Sequence, residues 1–179
     1  MNEMKQENHA YISFDAKSVN ESFARMVVMA FMTEMNPTLD ELEDVKTAVS
    51  EAVTNAIIHG YDKMDEVIVG ESTERKQPAF VELPTEQKKA QVELSCRRMG
   101  QKLSISVVDH GIGMEDVEMA RQPFFTTKPE QERSGMGFSF METFMDEVDV
   151  YSKPGEGTRV TMIKYIGRTE DMSLEACEK

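Results

Sequence analysis

Glu51 and Asn55 stand four residues apart in VSEAVTNAIIHG (49–60), among alanines, valines and isoleucines. At that spacing they share one face of a helix. An asparagine carbonyl is a hard oxygen suited to Mg²⁺, an ion that keeps several waters and takes few protein ligands. A glutamate beside it can accept a proton from an attacking hydroxyl. The plainer alternative is an edge-of-core pair satisfied by neighbouring backbone. His59 continues the spacing, but near a helix end it reads as a cap or a cation favoured by the helix dipole. Three isolated histidines make no zinc cluster.

Three further segments carry possible chemistry. DHGIGM (109–114) follows a strand. Asp109 can accept hydrogen bonds from an exocyclic amine, while Gly111 and Gly113 allow a tight turn and close approach of a ligand; a strand-ending turn with a capping Asp is the alternative. ERSGMGF (132–138) opens a helix. Gly135 and Gly137 there can present backbone N–H groups at the positive end of the helix dipole, a good phosphate site, and Arg133 can add charge to a terminal phosphate. The alternative is a Gly-rich cap. Neither the P-loop nor the dinucleotide fingerprint is matched. PFFTTKP (123–129) lies between the two Gly motifs. Thr126, Thr127 and Lys128 could touch phosphates from a mobile lid, or the stretch is a polar loop with Phe124 or Phe125 plugging the core.

The elements that must position these groups are legible in outline. A short strand is expected near Tyr11–Phe14. Ser18 or Asn20 can cap a helix running to about Met35, with Phe23, Val27, Ala30 and Phe31 as its apolar stripe, ended by Asn36-Pro37. Thr38 with Glu41 makes a capping box for a second helix. Val45, Ala48, Val49, Ala52, Val53 and Ala56 form its broad apolar face, with Glu51 and Asn55 beside the edge of that face. Two alternating strands follow, around Val92, Leu94, Cys96 and around Leu103, Ile105, Val107, turning at Met99-Gly100. A helix from about Gly135 to Met145 precedes a hairpin of strands at Val148–Tyr151 and Thr158–Ile166. Residues 62–89, interrupted by Gly70, Pro78 and Pro84, read as a long exposed loop or an extra short strand pair.

Composition bounds the rest. The 179 residues, 40% of them hydrophobic, suit one domain with a proper core. We expect that domain to span 1–167, followed by a loose acidic tail over 168–179. A net charge of −13 argues against direct nucleic-acid binding but permits a local basic pocket or a basic protein partner. No apolar run approaches a membrane span, and the polar start lacks a signal-peptide core, so a cytoplasmic protein is expected. Cys96 and Cys177 read as free thiols.

Each motif alone has its bland alternative. In order, an E-x-x-x-N helix, a D-x-G-x-G turn, a lid and a G-x-G helix start are the pieces of one ATP site. Carried by NESFAR (20–25), KTAVSEAVTNAIIHGY (46–61), ARQPFFTTKPEQERSGMGF (120–138) and METFMDEV (141–148), the chain resembles the GHKL ATPase/kinase superfamily. Within it, the chain is similar to the bacterial anti-sigma serine kinases, the sporulation branch above all. That resemblance implies an α+β two-layer sandwich of the Bergerat type, a mixed, largely antiparallel sheet covered by about three helices. It implies ATP and Mg²⁺ as cofactors, with Asn55 on the metal and Glu51 as base toward an incoming serine. Asp109 would bind the adenine amino group in a pocket shaped by Gly111 and Gly113, with Thr158, in GEGT, supporting Asp109. Thr126, Thr127 and Lys128 would belong to the lid. Arg133, Ser134, Gly135 and Gly137 would hold the β- and γ-phosphates. Arg25, with Glu21 beside it, matches a position that grips partners. The partners implied are a sigma factor, an anti-anti-sigma protein of the STAS type and a second copy of the chain, with no membrane. A stress-response kinase, or an ATP-dependent sigma-binding module without kinase activity, are the alternatives. Such proteins have a much shorter connection where this chain has 62–89.

Overall fold

The structure, a computed structural model, describes residues 7–61, 90–123 and 135–167. Strand β1 (Glu7–Asp15) leads into helix α1 (Val19–Met32), which tightens into a 3-10 turn over Thr33–Met35. Helix α2 (Leu39–Ile58) follows, then β2 (Gln91–Met99), β3 (Lys102–Asp109), a four-residue helix α3 (Val117–Ala120), helix α4 (Gly137–Phe144), β4 (Glu147–Lys153) and β5 (Gly157–Tyr165). No helix among the described residues is long and apolar enough to cross a membrane.

The strands form one sheet in the order β1-β2-β3-β5-β4. All four pairings are antiparallel, so the mixed sheet expected from the resemblance resolves to a purely antiparallel one over the described residues. Side-chain alternation gives the sheet two unlike faces. Val92, Leu94 and Cys96 of β2, Leu103, Ile105 and Val107 of β3, and Val160 and Met162 of β5 are buried. Their neighbours Ser95, Arg97, Ser104, Ser106 and Arg159 turn the other way and stay wholly or partly exposed. Helix α2 lies on the buried face, in contact with β2, β3 and β5, and packs against both α1 and α4. The result is the two-layer α+β sandwich that was expected.

Helix α2 is set by its own sequence. Thr38 accepts from the Glu41 N–H and Glu41 answers the Thr38 N–H, closing the expected capping box. The six apolar residues read as its core face are the six it buries. Helix α1 departs from expectation. It buries Ala24, Val28 and Met32, while Phe23 is 51% exposed and Val27, Ala30 and Phe31 are only partly covered or exposed. This helix is apolar on several faces, so two stripes fit the period equally well. Packing against α2 and the sheet selects the one with the smaller residues. Ser18 occupies the cap position without a side-chain cap bond. Asn20 instead donates its amide to the Asp15 carbonyl at 2.7 Å, tying the helix start to the end of β1.

Two buried polar groups are accounted for. Arg98 donates from Nε to the Gly100 carbonyl at 2.9 Å and from Nη1 to the Glu34 carbonyl at 3.1 Å, which pins the end of the 3-10 turn to the sheet. Cys96 is a buried free thiol, and burial pushes its pKa up to about 12, so it is inert.

Candidate active site

A cleft of about 520 Å³ opens where the C-terminal half of α2 meets the end of β3, the loop after it, α3 and the start of α4. Asn55, Asp109, Gly113, Gly135, Gly137 and Thr158, which the resemblance assigns to one site, line it, whereas Glu51 and Gly111, assigned to the same site, are not among its lining residues. The fold therefore brings together three motifs that are far apart in the chain.

Asp109 lines the cleft from the sheet. It is the last residue of β3 and pairs in register with Thr158 of β5. It is 4% exposed, and burial pushes its carboxyl above the usual carboxylate range. Hydrogen bonds from the backbone of Gly111, at 3.0 Å to Oδ1, and of Thr158 oppose that shift. The Thr158 hydroxyl is in turn within 2.9 Å of Ser152 Oγ. Ser152 also accepts from the Met114 N–H at 2.8 Å, which fastens the loop to the last hairpin. Gly113 has φ +67°, and a Cβ there would run into the Lys153 carbonyl, so the turn requires glycine.

Asn55, on α2, lines the cleft, and Glu51 stands one turn before it on the same helix. A Cβ built on Gly137 would sit 3.1 Å from Asn55 Nδ2 and 3.1 Å from Glu51 Oε2. The G-x-G helix start of α4 is thus pressed against the polar pair on α2, with no side chain between. Asn55 Oδ1 is buried and has no hydrogen-bond partner among the described residues. A buried carbonyl oxygen without a partner is costly. A hard divalent cation, with water completing its shell, is one group that would satisfy such an oxygen. His59 caps α2 through its backbone, donating to the Asn55 carbonyl at 2.9 Å, and is among the residues lining the cleft.

Several residues of the site were not read from the sequence. Ile112, Met114, Met119 and Phe138 give the cleft apolar walls suited to a flat aromatic base. Gly60 lies directly under Asp109: a Cβ there would come within 2.9 Å of its carboxyl carbon. Tyr61 bonds to the next residue, accepting from the His110 N–H at 2.8 Å. The signal was present in His59-Gly60, which reads equally well as a helix end. Glu21 and Arg25 do not join the cleft. They form an ion pair at 2.8 Å on α1, and Arg25 also reaches Ser50 Oγ on α2 at 3.1 Å. Thr126, Thr127, Lys128, Arg133 and Ser134, with Phe124 and Phe125, lie outside the described residues, as do 62–89 and the tail.

A cleft between a helix and an antiparallel sheet, lined by a buried carboxylate and bordered by an amide–carboxylate pair against a glycine helix start, fits a nucleotide-binding ATPase fold. The chain belongs to the histidine kinase-like ATPase domain family, which it matches over residues 12–164. Within that family its relatives are anti-sigma F factors. It is 48% identical to that of Anoxybacillus flavithermus, over 91% of this chain and 96% of the relative. It is also 48% identical to that of Thermoanaerobacter sp. strain X514, over 92% and 98%. The same identity holds for that of Clostridium kluyveri, over 88% and 94%. Its fold is similar to a crystal structure of the RsbU and RsbW domains of a Mycobacterium tuberculosis protein, with a TM-score of 0.57 at 18% identity. That match covers 90% of this chain, which spans about a third of the other.

Proposed function

We propose that the chain is both an anti-sigma factor and a protein-serine kinase. It sequesters an RNA polymerase sigma factor of the sporulation type and uses Mg-ATP to phosphorylate a serine on its STAS-type anti-anti-sigma antagonist. It works as a cytoplasmic homodimer. The observation that carries the reading is the contact of Glu51 and Asn55 with the glycine start of α4, in a cleft that Asp109 also lines.

Each group then has a task. Asp109 accepts from the adenine amine, and the apolar walls cover the ring. Backbone N–H groups at the α4 start, joined by Arg133 and Ser134, hold the phosphates. Thr126, Thr127 and Lys128 contact them from the lid. Asn55 would hold Mg²⁺, which would neutralise phosphate charge. Glu51 orients the incoming serine and accepts its proton. The serine oxygen forms a bond to the γ-phosphorus, the bond from that phosphorus to the bridging oxygen breaks, and ADP leaves with the electron pair. Phosphoryl transfer relies mainly on such positioning and charge neutralisation. Arg25 and Glu21 serve the partner surface.

The test is incubation of the purified chain with labelled ATP, Mg²⁺ and the antagonist encoded beside it. Label on a serine of the antagonist is expected. No serine phosphorylation would leave at most a nucleotide-dependent sigma-binding module.

A further inference from the structure

We infer that Tyr61 is a positioning residue for base recognition, acting through Asp109 without touching the nucleotide. The inference rests on the reading of Asp109 as the acceptor of the adenine amine. Tyr61 is 7% exposed, and its hydroxyl serves two backbone groups at once. It donates to the Gln91 carbonyl at the start of β2 and accepts from the His110 N–H at 2.8 Å. A phenol has one proton to give, so with Gln91 taking it the hydroxyl offers His110 a lone pair.

Gly60, the preceding residue, completes the grip. Its carbonyl accepts from the Ile112 N–H at 2.9 Å. Its Cα face packs against the Asp109 carboxyl, and Gly111 packs against its backbone. Residues 60 and 61 therefore hold the chain at positions 110 and 112. Between these two anchors Gly111 donates to Asp109 Oδ1 at 3.0 Å. With the Thr158 backbone bond, it holds the carboxyl in one orientation. Without the hydroxyl, the His110 N–H and the Gln91 carbonyl lose this partner, and the loop that aims Asp109 loses its tie at the residue next to that carboxylate. The triphosphate is assigned to other residues, Asn55 and the α4 start, which neither Gly60 nor Tyr61 is shown to hold.

The experiment compares ATP with inosine triphosphate, which presents an oxygen where adenine presents the amine. Affinities of both are measured for the wild type, Tyr61→Phe and Asp109→Asn, with a melting temperature for each. In Tyr61→Phe, ATP affinity should fall roughly three- to tenfold, the worth of one net hydrogen bond. Inosine triphosphate affinity should stay within about twofold, a smaller change than one such bond. An unchanged ratio, or an equal fall for both nucleotides, overturns the inference. If Asp109→Asn keeps the wild-type ratio, the reading of Asp109 fails and the role of Tyr61 falls with it. Hydrogen exchange of the wild type covers the case where Tyr61→Phe does not fold. The His110 amide should be protected in the nucleotide-free protein, and exchange at the rate of an unprotected amide would overturn the inference.

Discussion

Asn55 on α2 and Gly137 on α4 meet so closely that a methyl group on Gly137 would stand 3.1 Å from the Asn55 amide nitrogen and 3.4 Å from its Oδ1. The same methyl would reach Glu51 Oε2. Gly137 shows no positive φ, so its backbone accepts alanine. We predict that Gly137→Ala folds with a melting temperature close to wild type but slows phosphotransfer about tenfold or more, because a misplacement on the scale of an ångström at the reacting groups is that costly. Calorimetry and a phosphotransfer assay check the two halves; a wild-type rate would show that the contact is not catalytic.

Asp109 gives a pH signature. Its carboxyl is raised above 3.8 in the fold, with burial as the leading cause. The unliganded protein therefore has this group's full contribution below pH 3.8 and loses it as pH rises through the folded value. At neutral pH the fold carries the whole cost of the buried charge. Asp109→Asn should raise the melting temperature at pH 7, and the gain should shrink as pH falls toward 4. ATP affinity should fall in the same variant. Thermal unfolding at the two pH values checks the sign; destabilisation at pH 7 would contradict it.

Gly60→Ala should cost roughly 1–3 kcal/mol of stability, the usual penalty of overpacking. The new methyl meets the Ala56 carbonyl and the Asp109 carboxyl, and neither is the free end of a long side chain. Denaturant unfolding measures the loss. A neutral result would mean that the Asp109 carboxyl is free to move aside.

Arg25→Ala removes the ion pair with Glu21 and the bond to Ser50. Its side chain is 31% exposed. Stability should change by less than about 1 kcal/mol, as for other surface pairs. Sigma binding in a pull-down should weaken while ATP affinity holds. Unchanged sigma capture would remove Arg25 from the partner surface.

What the sequence revealed and what it hid follow one physical division. Helix α2 was legible down to its capping box and its six buried residues, because a single amphipathic period with one strong cap leaves little choice. The D-x-G-x-G turn after β3 and the last hairpin were legible for similar local reasons. Helix α1 was misread because its apolar residues cover more than one stripe, and only tertiary contacts choose Ala24, Val28 and Met32. Helix α3 has four residues, too few to show a period, yet it supplies Met119 to the cleft wall. Gly60 and Tyr61 look like the end of a helix, and their link to Asp109 is made across nearly fifty residues of chain.

The central claim is that Glu51 serves the chemistry while Asp109 and the rest of the cleft serve binding. The most direct measurement is Glu51→Ala, assayed for ATP affinity and, separately, for serine phosphorylation of the antagonist. Affinity should stay within a few-fold of wild type while the phosphotransfer rate falls about 10²- to 10⁴-fold, the usual contribution of a positioned base. Phosphotransfer at the wild-type rate, with ATP still bound, would contradict the account.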